Sequence, residues 1–352
     1  MTGGPVRVMR GSGWFSRWLS AAFFSFSLGT FELGCEDRSA DAQPAAALEM
    51  AGAQSVLPSQ LLEPPAAIPG AAPETGLAEE PRRELSWTFP RGPFGPTDVA
   101  ISLPIAQSPE DRFPVLVAFH GRGESVKGSR RGSRGWIEDY GLSRAISRLA
   151  APPLRADDFE SFVTDDRLAR FNTALAERPY AGLIVVCPFL PDVLKGARAF
   201  EEAGPLADFV VDVLLPRVYA KTPAQGTPAT TGIDGVSLGG RASLLVGLTR
   251  PQAFGSVGAL QAALDPKELA RFSALAARAA SQNPALRLRL LTSDEDYFRK
   301  ENQRLSVLLE RGGVAHELLR VVGTHSYRFN RGPGSLEMLV FHDRALRGQA
   351  PL

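Results

Sequence analysis

A serine with glycines two residues away on either side, Gly235-Val236-Ser237-Leu238-Gly239, lies between the strand-like Thr230-Thr231-Gly232-Ile233 and a helical run from Arg241. In a strand-turn-helix elbow the serine stands on a turn so tight that a Cβ two positions before or after it would strike a neighbouring strand or helix. The turn lifts the hydroxyl into the open as a nucleophile. A serine hydroxyl is a poor nucleophile until a histidine takes its proton, and the histidine needs a carboxylate to fix its tautomer and stabilise its charge. Because Gly-x-Ser-x-Gly is short enough to arise by chance in a glycine-rich chain, its weight comes from the partners found elsewhere.

The chain has four histidines. His120 ends the apolar run Pro114 to Phe119, and the Gly121-Arg122-Gly123 after it suits a loop that presents backbone N–H groups to a developing oxyanion. The donors expected there are the N–H of Gly121 or Arg122, together with that of Leu238 beside the serine. The Arg122 guanidinium is expected to pair with Glu124 or Asp139, or to meet an acidic part of a substrate. His316 opens a strand and His342 falls in the last helix, so both read as packing or surface residues. His325, in the polar loop Gly323-Thr324-His325-Ser326-Tyr327 after the last strand, is the expected base. Its acid should come from Asp294-Glu295-Asp296, which follow Leu290-Leu291-Thr292-Ser293. A helix begins soon after, so some of these carboxylates can serve as N-terminal caps instead.

These residues need elements to carry them. Glu84 to Phe89 and Asp98 to Leu103 read as short edge strands. Continuous apolar runs of strand length follow at Pro114 to Phe119, Gly182 to Cys187, Thr230 to Val236, Ser256 to Leu260, Leu286 to Leu291 and Glu317 to Val322. Helical patterns separate them at Ile137 to Leu149, Leu206 to Tyr219, Arg241 to Thr249, Pro266 to Ala280, Asn302 to Arg311 and Ser335 to Leu346. This alternation predicts an α/β fold, a mostly parallel central sheet with helices on both faces and its chemistry at the carboxyl ends of the strands. Residues 151–178 exceed what a connection needs, and read as a lid over the site or a surface embellishment. Cys187, inside Leu183 to Cys187, reads as a small core residue.

From Pro114 to Leu346 the chain resembles an alpha/beta-hydrolase of the esterase type, in the neighbourhood of the esterase D and feruloyl esterase-like proteins. The resemblance rests on His120-Gly121 at a strand end, Gly235 to Gly240 around the serine, and Gly323-Thr324-His325, in the chain order Ser, acid, His. The family's Gly-x-x-Asp turn matches with Ser293 in place of glycine, which aligns Asp296 as the acid and leaves Asp294 as the alternative. The resemblance implies acyl transfer to water, with Ser237 as nucleophile, His325 as base and then acid, and Asp296 as orienter. Its substrate would be a small-molecule or glycan-linked ester. A peptidase of the prolyl-oligopeptidase-like branch and a non-catalytic binding module on the same fold are the competing readings. The first usually carries an additional domain such as a propeller, whose repeats do not appear, and the second would be favoured by a missing triad member.

The N-terminus has a different character. Arg7, Arg10 and Arg17 precede an uncharged stretch from Trp18 to Phe31, the charged and apolar regions of an export signal over residues 1–35. Leu33-Gly34-Cys35 resembles the end of a bacterial lipoprotein signal, with Cys35 the lipidation candidate, although Glu32 stands where that pattern wants an apolar residue. Residues 36–83, rich in Ala, Pro, Gly and Glu without helical or strand period, read as a disordered tether to the catalytic domain at 84–352. The expected location is therefore the bacterial cell envelope or the secreted fraction, with membrane contact through an N-terminal lipid or anchor only. A formal net charge of +1 with scattered basic residues points away from nucleic acid. No His or Cys pair has ligand spacing, so neither metal nor cofactor is expected.

Overall fold

The structure, a computed structural model, describes residues 82–193, 199–350 and 352. The expected signal, Cys35 and all but the last residues of the tether lie outside them. One sheet of eight strands carries the site, in the order β1-β2-β4-β3-β5-β6-β7-β8. β1 (Arg82–Gly92) and β2 (Gly95–Pro104) form the antiparallel hairpin at one edge, and β2 also runs antiparallel to β4 (Ile184–Pro188). β3 (Val115–Phe119), β4, β5 (Thr231–Gly235), β6 (Ser256–Leu260), β7 (Arg287–Glu295) and β8 (Glu317–Thr324) are parallel.

The continuous apolar runs become strands covered on both faces. Every residue of β3, β4, β5 and β6 is buried. Because successive strand side chains point to opposite faces, Val115, Val117 and Phe119 feed one core while Leu116 and Ala118 feed the other. The first core is closed by a helical run over 199–221 and by helix α3 (Leu238–Thr249), α4 (Leu269–Gln282) and α5 (Arg299–Arg311). The second is closed by α1 (Leu142–Ala150), α2 (Asp165–Glu177) and α6 (Ser335–Ala345). β8, at the far edge, shows the alternating burial of a strand with one covered face.

The stretch 151–178 does not form a free flap. It folds into α2, whose N-cap Thr164 accepts the Arg167 N–H, and it buries Phe159, Phe171 and Leu175 in the second core. Arg167 is buried with it and makes a two-pronged bond to Glu337 of α6, at 2.9 and 2.6 Å. The segment packs over α6, with Phe162 beside Gly323 at the end of β8.

Candidate active site

The elbow forms where β5 meets α3. Ser237 has φ 56° and ψ −113°, a backbone conformation that residues with a side chain rarely adopt. It is held there by its own N–H bonding to the Leu260 carbonyl at 2.9 Å, and by its carbonyl accepting the N–H groups of Arg241 and Ala263, each at 3.0 Å. The flanking glycines are a matter of space. A Cβ on Gly239 would lie 2.4 Å from the Phe119 carbonyl and 2.5 Å from that of His120, and one on Gly235 would lie 2.5 Å from the Gly239 backbone.

At the carboxyl ends of the sheet three elements meet. His325, just past β8, has Nε2 at 3.1 Å from Ser237 Oγ and Nδ1 at 2.8 Å from Asp296 Oδ1. Since an ionised carboxylate only accepts, Nδ1 carries the proton and Nε2 is left to take that of the serine. The Asp296 side chain is buried and fixed from both oxygens: Oδ2 accepts the Thr292 hydroxyl at 2.7 Å, and Oδ1 also accepts the Phe298 N–H at 3.0 Å. Asp294 points elsewhere, into an exposed ion pair with Arg320 at 3.1 Å. Tyr297 and Phe298 stand against the His325 ring, with centroids 5.4 and 5.5 Å away.

The loop after β3 carries two of the residues expected to donate to an oxyanion. His120 is buried, donates from Nδ1 to the Gly121 carbonyl at 2.8 Å and accepts the Leu190 N–H at Nε2, 3.0 Å away. Burial lowers its pKa to about 4, so it stays neutral and braces the loop. Of the expected donors, Gly121 has its N–H directed at the Tyr140 hydroxyl, 3.1 Å away. Arg122 and Leu238 each occupy the first position of a helical segment, Arg122–Ser125 and α3, where an N–H has no carbonyl in its own helix to meet. The Arg122 guanidinium pairs with Asp192 at 2.7 Å, and with neither of the carboxylates expected from sequence; Lys127 takes Asp139 instead, at 2.8 Å.

The other histidines stay out of the site. His316 bonds to Ser306 and to the Val314 carbonyl. His342 forms a second Ser-His-Asp set, with Ser256 at 2.8 Å and Asp234 at 3.0 Å, but all three residues are fully buried and no substrate reaches them. Cys187 is buried in β4. Sequence reasoning missed Gln261, which has φ 44° at the end of β6 and donates to Ser293 Oγ at 2.6 Å and to the Thr324 carbonyl at 3.0 Å. It ties the acid's strand to the histidine's loop, and nothing in Leu260-Gln261-Ala262 signals it. Among the described residues, no three His, Cys, Asp or Glu are grouped to hold a metal, and no helix is long and apolar enough to cross a membrane.

Residues 194–332, which hold the elbow, the acid and the histidine, match the Esterase family, described as "Putative esterase". Residues 194–332 thus resemble that family, and the sheet with its covering helices is the alpha/beta-hydrolase fold. No curated protein matches it. Among solved structures, the substrate-bound fluorophosphonate-binding serine hydrolase F of Staphylococcus aureus superposes with a TM-score of 0.54 at 14% identity, over 75% of this chain and 99% of that one. A CE1 ferulic acid esterase of Anaeromyces mucronatus gives 0.51 at 16%, over 75% and 92%. The feruloyl esterase module of Clostridium thermocellum, complexed with sinapinate, gives 0.52 at 14%, over 76% and 91%. Identities this low speak for the shared fold alone.

Proposed function

We propose that this protein hydrolyses carboxylic esters through a Ser237-His325-Asp296 triad and an acyl-enzyme intermediate. The observation that carries the reading is the continuous pair of contacts at His325, 3.1 Å to the serine hydroxyl and 2.8 Å to a buried carboxylate. Ser237 Oγ attacks the ester carbonyl carbon while its proton passes to His325 Nε2, and Asp296 holds the charged imidazolium. The carbonyl oxygen, now an anion, is met by the N–H groups of Arg122 and Leu238. Collapse breaks the ester C–O bond, and the alkoxide leaves with the proton from Nε2. Water then attacks the acyl-enzyme with His325 again as base, releasing the acid and restoring the serine.

The substrate belongs to the small-molecule or glycan-linked esters, in keeping with the sinapinate complex named for one structural neighbour. A panel of aryl esters of rising acyl length, turned over by the parent and by Ser237→Ala, tests the reading. The alanine variant should fold normally and lose on the order of 10⁶ in kcat. Turnover like the parent's would remove Ser237 from the mechanism. Export and lipid attachment at Cys35 belong to the same proposal, supported by the sequence of residues 7–35. Membrane fractionation of Cys35→Ser beside the parent tests them: the variant should leave the membrane fraction.

A further inference from the structure

Glu124 is a fully buried acidic residue two positions beyond Arg122. Its Oε2 accepts the Tyr140 hydroxyl and its Oε1 the Tyr327 hydroxyl, the latter at 2.6 Å. The Tyr140 oxygen in turn accepts the Gly121 N–H. Lys127, held by Asp139, places its ammonium 3.7 Å from Oε1 and 5.7 Å from the centre of the Tyr327 ring. One side chain therefore meets two separate parts of the site. Through Tyr140 it reaches the loop that carries the Arg122 N–H, and through Tyr327 the loop that carries His325, two residues upstream.

The surroundings are shaped to this group. A Cβ on Gly135 would lie 2.5 Å from Glu124 Cγ, one on Gly132 2.5 Å from the Glu124 carbonyl, and one on Gly123 2.4 Å from the Tyr327 hydroxyl. Burying a carboxyl is costly unless its oxygens are bonded, and here both are. An apolar side chain would pack in the same space but would leave the two tyrosine hydroxyls and the Gly121 N–H without their order.

The geometry points to Glu124 as the positioning residue that locks the oxyanion loop to the histidine loop, so that the Arg122 N–H and the His325 imidazole converge on one substrate carbonyl. This inference rests on the esterase reading above. Glu124 touches no reacting atom and moves no proton; it acts through Tyr140 and Tyr327.

The test uses the full chain with Glu124→Gln, Tyr327→Phe and the double variant, each assayed on an aryl ester and normalised to sites titrated by a fluorophosphonate. Glutamine presents one acceptor and one donor where two hydroxyl donors converge, so the junction breaks while the volume is kept. Glu124→Gln is expected to lose about 10- to 100-fold in kcat per site, less than removal of an oxyanion donor itself, with KM within about threefold. Tyr327→Phe should lose roughly tenfold, and the double variant no more than Glu124→Gln, because both cut the same junction. A trifluoromethyl ketone, which forms a tetrahedral oxyanion on the serine, should weaken in proportion to kcat/KM across the set. A merely structural role would lower the melting temperature without moving per-site kcat or that proportion. If Glu124→Gln does not fold, Tyr327→Phe decides on the same measurements. Parent-like per-site kcat and ketone binding in the variants would overturn the inference, whereas a parent that neither turns over esters nor takes the fluorophosphonate would overturn the esterase reading instead.

Discussion

Two carboxylates two residues apart have opposite fates at the end of β7. Asp296 is buried with hydrogen bonds to both oxygens, one of them from His325, while Asp294 pairs with Arg320 in solvent. Asp296→Asn should therefore cost about 10⁴ in kcat, by leaving the imidazole in the wrong tautomer. Asp294→Asn loses an exposed pair worth well under about 1 kcal/mol and should leave kcat nearly unchanged. Steady-state rates of the two variants check this. The choice between them was legible in sequence only through the spacing of the turn; composition alone leaves all three acids of Asp294-Glu295-Asp296 equivalent. His120 supplies a second expectation, for stability. Its folded pKa is lowered to about 4 against an ordinary 6.5, so above pH 6.5 it is neutral in both states and has no effect. As the pH falls from 6.5 toward 4, the unfolded chain takes up a proton that the folded one refuses, and stability drops by up to about 1.4 kcal/mol per pH unit. Burial lowers the pKa of His342 too, which adds a loss of the same sign. Urea unfolding at pH 7 and at pH 4.5 should show the difference, and His120→Gln should reduce it.

The elbow is the element on which the proposed catalysis depends, and its glycines are constrained by backbone rather than by movable side chains. Gly239→Ala would drive a Cβ into the carbonyls of Phe119 and His120, and should destabilise by about 1–3 kcal/mol or more. Gly204→Ala, in the helical run with no atom beyond its chain neighbours and its own helix backbone within 4 Å of the added Cβ but directly before Pro205, should cost less than Gly239→Ala. Thermal melting of the two variants separates crowding from a general effect of glycine replacement. Elements were legible in proportion to how local their cause was. Ser256–Leu260 appears with the bounds its apolar run suggests, and the central strands differ by a residue or two. The helix expected from Ile137 begins instead at Leu142, because Gly135–Asp139 forms a wider turn that points the Trp136 N–H at the Phe119 carbonyl, 3.0 Å away. Helix α2 was not foreseen at all. Its apolar positions are few, and it is anchored by Phe171 and Leu175 in the second core and by Arg167 meeting Glu337, 170 residues on.

Across the whole molecule, the sheet brings residues 237, 296 and 325 to one rim, and that convergence follows from strand order alone. This is why the fold and the candidate triad could be read from a few motifs, whereas the Gln261 bridge, which depends on loop conformation, and the Glu124 junction, which depends on distant tyrosines, could not. An activated Ser237 is the consequence the proposal makes testable, since Ser237 is only half-buried while Ser256 lies in a similar set sealed in the core. The decisive measurement is incubation of the full chain with a fluorophosphonate, followed by mass spectrometry of the digested protein. The account expects one adduct per chain, on the peptide that contains Ser237, and none after His325→Ala. An adduct on another residue, or an unlabelled Ser237 in folded protein, would contradict it.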